Sequence, residues 1–271
     1  SLKQLKDCET VVFVGGISPQ LEGEEMPIEI SGFKGGDRTN IELPKVQRNF
    51  LKALKEAGKK VVFVNCSGSA IALTPETESC DAILQAWYPG QEGGEAVARV
   101  LFGEYNPAGK LPITFYKNSE QLPDFKDYSM KGRTYRYMND ALFPFGYGLS
   151  YTSFRIGDAT LSNSILKKGE KITLKVPVSN VGKKDGTEVV QVYVKDPADT
   201  EGPLKSLKAF ERVEVKAGKT AEAVITLDSR NFELFDAATN TVRAKAGKYE
   251  VYYGSSSADK DLKKLDVSIE Y

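Results

Sequence analysis

The sequence contains no histidine, and this absence excludes several classes of functional site. A Ser-His-Asp or Cys-His catalytic group cannot be built from this chain alone. A zinc or haem site that relies on histidine ligands is excluded for the same reason. Acid–base catalysis by this chain must therefore use Asp, Glu, Lys, Tyr or Cys side chains, and carboxylates are the natural candidates.

Cysteines, long apolar runs and net charge are also scarce. The three cysteines (Cys8, Cys66 and Cys80) form no C-x-x-C pair, and we interpret them as small buried residues. No run approaches the roughly 18 apolar residues that a membrane span needs, so no membrane partner is predicted. With 37 basic and 37 acidic side chains the formal net charge is zero. No block is basic enough to predict nucleic-acid binding.

The length of 271 residues predicts about two globular domains at roughly 150 residues each. In the first half, apolar runs alternate with segments of helical periodicity. Helices are predicted from Pro44 to Gly58 and over residues 94–102. Such alternation implies βαβ units, so we expect a three-layer α/β sandwich with a largely parallel sheet. The predicted strands are Val11–Val14, Lys60–Asn65, Ala82–Trp87 and Leu111–Phe115, and the apolar face of the first helix comprises Val46, Phe50, Leu51, Leu54 and Ala57.

After about Phe154 the helical periodicity disappears and short strands recur between turn clusters. Roughly seven antiparallel strands over about 115 residues predict an immunoglobulin- or fibronectin-III-like β-sandwich. We therefore place an α/β domain at residues 1–150 and an all-β domain at residues 151–271. The clearest strands in the second domain are Ile172–Val178, Val189–Val194, Leu207–Val215, Ala221–Leu227 and Tyr249–Tyr253.

The loop after the first predicted strand is rich in carboxylates. It lies beyond the carboxyl end of a sheet strand, where open α/β sheets place their ligand sites. One interpretation is a solvated acidic loop, with Asp37 or Thr39 capping the next helix. The other is that one glutamate acts as a general acid/base next to glycines that let a substrate approach. The acidic residues before Asp37-Arg38 are Glu22, Glu24, Glu25 and Glu29.

Several motifs resemble those of glycoside hydrolase family 3, in the same order and over essentially the whole chain. The segment Glu22-Gly23 … Asp37-Arg38 … Leu43-Pro44 resembles the acid/base loop of that family. The strongest match is GRTYRY (residues 132–137) followed by LFPFGYGLSY (residues 142–151), which resembles the exit from the second domain of the family. Three further matches are NCSGSA (65–70), WYPGQEGG (87–94) and FGEYNPAGKLP (102–112).

This resemblance implies a fragment of a retaining exo-β-glycosidase. In that chemistry two carboxyl groups about 5–5.5 Å apart flank the glycosidic bond. In the family, the nucleophile is an aspartate on a preceding (β/α)8 barrel, and the acid/base is a glutamate on the α/β sandwich. A barrel takes about 250 residues and is not encoded here, so we expect the chain alone to be inactive. No metal or organic cofactor is implied.

The family pattern also assigns residues. Glu22 is the predicted acid/base, but the chain inserts Glu24 through Gly36 where many relatives are shorter, which leaves Glu24 and Glu25 as alternatives. Side-chain chemistry, rather than the family pattern, makes Arg133 and Trp87 candidate substrate contacts, with core or interface packing as the other interpretation of Trp87. The segment Tyr128-Ser129-Met130 before GRTYRY favours a β-xylosidase over a β-glucosidase, so the predicted substrate is an oligosaccharide with a terminal β-linked xylose or glucose.

The sequence also bears on cellular location and on alternative functions. The chain begins Ser1-Leu2-Lys3, so we interpret it as a processed or excised piece in which a signal sequence would be invisible. The resemblance implies a periplasmic or secreted parent. A non-catalytic carbohydrate-binding or structural module is the alternative function, although Tyr193, Tyr252 and Tyr253 are scattered rather than aligned on one strand face. A flavodoxin-like nucleotide binder lacks every phosphate-binding signature.

Overall fold

The computed structural model describes residues 2–18, 21, 31–35 and 37–270 of the chain. The chain divides into two compact units that alternate along the sequence. Each unit includes residues from before and from after position 120. The domain boundary predicted between residues 150 and 151 stays a prediction. The first unit comprises Ser1–Leu101, Thr114–Ser129 and Asp140–Phe143, and the second comprises Phe102–Ile113, Met130–Asn139 and Pro144–Tyr271.

The first unit is built around a parallel sheet with helices between its strands. The sheet order is β1-β4-β5, both pairs are parallel, and β2 and β3 form a separate hairpin. The predicted α/β class is confirmed. The strands are β1 (Thr10–Gly16), β2 (Phe33–Lys34), β3 (Asp37–Arg38), β4 (Lys60–Cys66) and β5 (Ala82–Gln85). The helices are α1 (Lys45–Glu56), α2 (Thr74–Ser79) and α3 (Gly93–Leu101), with 3₁₀ turns at Leu2–Leu5 and Ser119–Gln121.

Helix α1 covers one face of this sheet, as its periodicity predicts. Leu51 and Leu54 are fully buried, and the Phe50 ring lies 5.7 Å from the Phe13 ring on β1. The helix ends before Gly58, whose φ of +73° is costly for any residue with a Cβ. The predicted apolar face was too wide, because Val46 in the first turn and Ala57 at the C-cap are both exposed.

The strand predicted at Leu111–Phe115 is wrong. Only Phe115 forms a bridge, with Phe143, and it is isolated from the sheet. Because Pro112 has no N–H to donate to a neighbouring strand, a central strand at this position is disfavoured. The Leu111 N–H instead donates to the carbonyl of Tyr147 at 2.8 Å.

The second unit is a β-sandwich. A five-stranded sheet has the order β11-β10-β15-β16-β8, and a four-stranded sheet has the order β12-β9-β6 with β7 also paired to β9. Among the described residues, no helix combines the length and the apolar character needed to cross a membrane. The elements are α4 (Thr134–Tyr137), β6 (Phe154–Ile156), β7 (Thr160–Leu161), β8 (Ile165–Lys167), β9 (Ile172–Asn180), β10 (Gly186–Lys195), β11 (Ser206–Val215), β12 (Thr220–Leu227), β13 (Leu234–Asp236), β14 (Thr241–Arg243), β15 (Gly247–Gly254) and β16 (Leu262–Glu270), with 3₁₀ turns at Ser229–Phe232 and Asp259–Asp261.

The five strands that the sequence predicts most clearly in the sandwich are confirmed. Strand β9 buries every second residue from Ile172 to Val178, as a half-buried strand should. The expectation of an all-antiparallel sandwich was wrong in one place, because β8 pairs with β16 in parallel. Strand β16 was also missed, since Lys263, Lys264 and Asp266 interrupt its apolar pattern.

A buried glutamine ties strand β10 to the segments around it in the second unit. Gln191 is buried, and its Nε2 donates to the carbonyls of Gly146 (3.0 Å) and Ser255 (2.7 Å). Its Oε1 accepts a hydrogen bond from the hydroxyl of Tyr193, which is also buried. Burial raises the pKa of Tyr193, so the phenol stays protonated and able to donate.

We expect Gln191→Leu to lower the free energy of unfolding by about 2–4 kcal/mol, because the carbonyls of Gly146 and Ser255 and the buried hydroxyl of Tyr193 lose their hydrogen bonds to Gln191. Urea unfolding followed by far-UV circular dichroism measures this loss. The exposed Gln91 provides the control variant Gln91→Leu, which should change stability by less than about 0.5 kcal/mol. Equal losses in the two variants would show that the hydrogen bonds of Gln191 contribute nothing specific.

Candidate active site

The carboxyl ends of the three parallel strands meet at one edge of the sheet in the first unit. In the strand register, Gly16 of β1 lies opposite Cys66 of β4, and Asn65 lies opposite Gln85 of β5. Ligand sites of open α/β sheets form at this edge. The predicted acid/base loop begins at this edge, directly after β1. The residues that bond to the end of β1 therefore fix the position at which the loop begins.

The end of β1 is held by the side chain of Gln47 on α1. Its Oε1 accepts from the N–H of Gly16, and its Nε2 donates to the carbonyl of Gly16, both at 2.8 Å. Gly16 has a φ of +126°, and a Cβ at this position would overlap the carbonyl oxygen of Cys66. The next residue, Ile17, donates its N–H to that carbonyl at 2.9 Å. The chain therefore leaves β1 in a fixed direction.

Three polar side chains at the ends of β4 and β5, those of Asn65, Ser67 and Gln85, are joined by hydrogen bonds. The Nδ2 of Asn65 donates to Gln85 Oε1 at 2.6 Å, and the Ser67 hydroxyl donates to the carbonyl of Ser69 at 2.9 Å. Asn65 and Ser67 are fully buried. The Oδ1 of Asn65 lies close to Gly16 and has no hydrogen-bond partner, an uncommon state for a buried acceptor.

Tyr88 connects the loop after β5 to the exit of β1. Its hydroxyl donates to the carbonyl of Ile17 at 2.9 Å. Its ring packs over Gly68, where a Cβ would lie only 2.6 Å from the ring carbon Cε2. Sequence reasoning missed this role, because a hydrogen bond between residues so far apart leaves no local pattern.

The other end of the predicted loop is anchored by Arg38. This residue lies in the β2–β3 hairpin, opposite Phe33. Its Nη1 donates to the Ser69 hydroxyl at 3.2 Å, and its Nη2 reaches the carbonyl of Glu42 at 3.4 Å. The expectation that Asp37 or Thr39 caps the next helix was wrong, since the N-cap of α1 is Pro44 and Asp37 belongs to β3.

The predicted acid/base Glu22, its alternatives Glu24 and Glu25, and Glu29 all lie outside the described residues. The chain is described up to Ser18 and again at Leu21, whose N–H donates to the Ser18 carbonyl at 3.0 Å. Leu21 directly precedes Glu22 in the sequence. The assignment of the acid/base therefore stays a prediction, and what the structure adds is the anchoring of the chain before and after this segment.

Two other titratable groups near this edge are poorly suited to catalysis. Burial would raise the pKa of Glu42, but hydrogen bonds from the hydroxyl (2.7 Å) and N–H (2.9 Å) of Ser119 to its carboxylate outweigh burial and lower it. Glu42 is therefore ionised at neutral pH and is a poor proton donor. Burial raises the pKa of the Cys66 thiol, which disfavours the nucleophilic thiolate. All three cysteines are free, and the expectation of burial was wrong for Cys8, which is exposed.

Trp87 and Arg133, the two candidate substrate contacts, belong to different units. Strand β5 ends at Gln85, two residues earlier than predicted, and Trp87 has a φ of +58°. The half-buried indole meets the Phe115 ring edge-on, with centroids 6.3 Å apart. Such a contact is typical of the packing interpretation of Trp87, and its role in stacking on a sugar stays a prediction.

Arg133 lies directly before α4 and is half-buried. Its N–H donates to the carbonyl of Met130 at 3.0 Å, which closes a turn in the GRTYRY motif. In the same motif, the carbonyl of Arg136 accepts from Leu204 N–H at 2.7 Å, and its guanidinium carbon lies 5.7 Å from the Tyr137 ring centroid. These contacts fix the backbone of the motif, and a substrate role for Arg133 stays a prediction.

Comparison with known proteins identifies the family. Residues 1–151 match the model described as "Glycosyl hydrolase family 3 C-terminal domain". The chain belongs to glycosyl hydrolase family 3. The predicted resemblance is thus confirmed, and residues 188–257 match a fibronectin type III-like domain, which confirms the class of the β-sandwich.

Individual relatives in family 3 cover nearly all of the chain. The chain is 64% identical over 269 residues to a xylan 1,4-beta-xylosidase of Xylanibacter ruminicola, covering 99% of this chain and 31% of that protein. It is 38% identical over 272 residues to a periplasmic beta-glucosidase of Salmonella typhimurium, covering 95% of this chain and 34% of that protein. The chain spans about a third of the length of the curated relatives it matches.

Solved structures of family 3 proteins share this fold. A beta-glucosidase from Listeria innocua in complex with glucose superposes with a TM-score of 0.81 at 29% identity, covering 99% of this chain and 38% of that chain. A beta-glucosidase of Bifidobacterium adolescentis also gives a TM-score of 0.81, at 30% identity, covering 97% of this chain and 39% of that chain. Among the described residues, no group of three or more His, Cys, Asp or Glu side chains is placed to hold a metal ion.

A substitution of Gly16, at the end of β1, tests whether the close approach of this residue to the Cys66 carbonyl is required. We expect Gly16→Ala to lower the free energy of unfolding by about 2–4 kcal/mol, because the residue has a positive φ and its Cβ would overlap the Cys66 carbonyl. Trp87 is the single tryptophan of the chain and lies in the first unit, so its fluorescence during urea unfolding reports on this unit.

The control is Gly90→Ala, where an added Cβ meets nothing within 4 Å. It should change stability by less than about 0.5 kcal/mol. If both variants unfold at the same urea concentration, the exit of β1 tolerates a side chain and the close approach of the two strand ends is not required.

Proposed function

We propose that the parent of this chain is a retaining exo-β-glycosidase and that this chain contributes its general acid/base, Glu22. The 64% identity to a protein named xylan 1,4-beta-xylosidase, over 99% of the chain, carries the proposal. The names of the other relatives, β-xylosidases and β-glucosidases, support the same reaction class. The substrate is an oligosaccharide with a terminal β-linked sugar.

The proposed mechanism divides two carboxyl groups between two parts of the parent. An aspartate on an N-terminal (β/α)8 barrel attacks the anomeric carbon, and Glu22 donates a proton to the leaving oxygen. After the glycosyl-enzyme has formed, Glu22 removes a proton from the water that hydrolyses it. Glu22 must therefore be protonated when catalysis begins, which requires a raised pKa.

The anchors at the sheet edge support this role. A proton donor has to be held within hydrogen-bond reach of the glycosidic oxygen, and preorganised positions lower the cost of reaching that geometry. Gln47 and Tyr88 hold the backbone immediately before the loop, at Gly16 and Ile17. Arg38 holds the backbone after it by bonding to Ser69. A loop fixed at both ends can present one glutamate reproducibly.

In the full-length parent, we expect Glu22→Ala to reduce turnover of xylobiose by about 10²–10⁴-fold, because its leaving group needs a proton. Hydrolysis of a 2,4-dinitrophenyl xyloside should lose far less in the first step, because that leaving group departs without protonation. Added azide should restore turnover of the dinitrophenyl xyloside and yield a glycosyl azide of retained configuration, since the anion attacks the glycosyl-enzyme without a general base. This pattern is measured by initial rates on xylobiose and on the dinitrophenyl xyloside, each with and without azide, and by analysis of the products.

Glu24→Ala and Glu25→Ala are the matched controls and should keep normal rates on both substrates. If one of them shows the azide-rescued pattern instead, that residue is the acid/base. If none of the three does, the acid/base lies elsewhere and the loop has another role. The chain of residues 1–271, assayed beside the parent, should show no turnover, and measurable turnover would contradict the need for a separate nucleophile.

We propose xylose as the preferred sugar. The identity to the xylan 1,4-beta-xylosidase (64%) exceeds that to the periplasmic beta-glucosidase (38%) over nearly the same residues. We expect kcat/KM of the parent for 4-nitrophenyl β-xyloside to exceed that for the β-glucoside by at least about tenfold, because a pocket shaped for a pentose has no room for the extra hydroxymethyl group. A ratio below one would assign the parent to the glucosidases.

The carbohydrate-binding alternative has less support in the second unit. Tyr193 and Tyr253 are buried in the sandwich, and Tyr252 is half-buried with its hydroxyl bonded to Glu250 at 2.7 Å. A buried ring cannot stack on a sugar, so these tyrosines favour a packing role. The periplasmic or secreted location stays a prediction, supported by the name of the Salmonella relative and testable by fractionating cells that produce the parent.

A further inference from the structure

Tyr88 follows a residue with an unusual backbone conformation. Strand β5 ends at Gln85, and Trp87 has a φ of +58°. A left-handed conformation is uncommon for a bulky residue, and it is costly unless the surrounding contacts fix it. Such conformations concentrate at functional sites, where a group must be held in one place. The residue directly after Trp87 contacts two of the segments that meet at the sheet edge.

The ring of Tyr88 is held by close packing on Gly68. The φ of Gly68 lies outside the left-handed region, so a glycine is not required here for its backbone conformation. It is required for space, because a Cβ would lie 2.6 Å from Cε2 and 3.2 Å from Cδ2 of the Tyr88 ring. A tyrosine side chain has only two rotatable bonds that move its ring, so this contact also restricts the position of the hydroxyl.

The hydroxyl of Tyr88 bonds to the backbone at the start of the predicted acid/base loop. It donates to the carbonyl of Ile17 at 2.9 Å. Ile17 is fully buried, and its N–H donates to the carbonyl of Cys66 at 2.9 Å. Both backbone polar groups of Ile17 are therefore bonded, one to the end of β4 and the other to Tyr88.

Two further hydrogen bonds lie between Ile17 and Glu22 along the chain. The N–H of Leu21 contacts both the carbonyl (3.0 Å) and the hydroxyl (3.1 Å) of Ser18, the residue after Ile17. Glu22 is the next residue after Leu21 in the sequence. Of the candidate glutamates, it is the nearest in sequence to this bonded backbone.

We propose that Tyr88 is a positioning residue for the general acid/base, because its hydroxyl fixes the Ile17 carbonyl and thereby the start of the loop that carries Glu22. This inference rests on the proposed function of Glu22. Proton transfer needs the donor within hydrogen-bond reach of the glycosidic oxygen, and a displacement of about 1 Å can lower a rate by about 10²-fold. Since Tyr88 acts through this backbone, proton transfer depends on it and attack by the nucleophile does not.

The test compares two leaving groups in the full-length parent. Tyr88→Phe removes the hydroxyl and keeps the ring that packs on Gly68. We expect kcat/KM for xylobiose, whose leaving group needs a proton, to fall about tenfold. The kcat/KM for the 2,4-dinitrophenyl xyloside reports the first step alone. It should change by less than about twofold, since that leaving group departs without protonation.

Tyr105→Phe is the matched control, because the Tyr105 side chain is 53% exposed and belongs to the second unit. It should leave both kcat/KM values within about twofold of those of the unchanged parent. The ratio of the two values does not depend on the amount of folded enzyme, so partial unfolding of Tyr88→Phe cannot imitate the expected result. An equal loss on the two substrates, or no loss on either, would overturn the role of Tyr88.

The Glu22→Ala variant, assayed beside Tyr88→Phe, distinguishes failure of this inference from failure of the proposed function. If Glu22→Ala shows the leaving-group pattern and Tyr88→Phe does not, Glu22 is the acid/base and Tyr88 does not position it. If Tyr88→Phe shows the selective loss and Glu22→Ala does not, the proposed function of Glu22 has failed. The inference that Tyr88 positions this glutamate then fails with it.

Discussion

The paired hydrogen bonds between the Gln47 amide and Gly16 are the contact on which the sheet edge depends. One side chain from helix α1 satisfies both backbone groups at the end of β1, in a position where no side chain could be tolerated on Gly16 itself. The next residue, Ile17, donates its N–H to the carbonyl of Cys66, and its own carbonyl accepts a hydrogen bond from the hydroxyl of Tyr88. The end of one strand is therefore held by a helix, a second strand and the loop after a third.

The sequence allowed much of the fold to be predicted because the regular elements follow local patterns. The run Val61–Val64 is typical of a buried strand, and the alternation from Ile172 to Val178 is typical of a half-buried strand. The segment Leu111–Phe115 was misjudged, since its apolar composition outweighed the missing N–H of Pro112. Val46 and Ala57 matched the helical period, but the period does not show how far the sheet extends beneath the helix.

The site was less predictable than the fold. Its location followed from the strand order and from motifs such as NCSGSA, because strand ends in a parallel sheet share one edge. Its supporting residues did not follow, because Gln47, Gln85 and Tyr88 act through contacts with residues 18 to 71 positions away. No spacing in the sequence distinguishes a glutamine that bridges a strand end from one that faces solvent.

The alternation of the two units along the chain has a consequence for how such proteins diversify. The backbone crosses between the units after Leu101, Ile113, Ser129, Asn139 and Phe143. A genetic crossover anywhere between the first and last of these points would join pieces of both units from two parents. Recombination among related genes should therefore preserve the stretch from residue 102 to residue 143 as one inherited block.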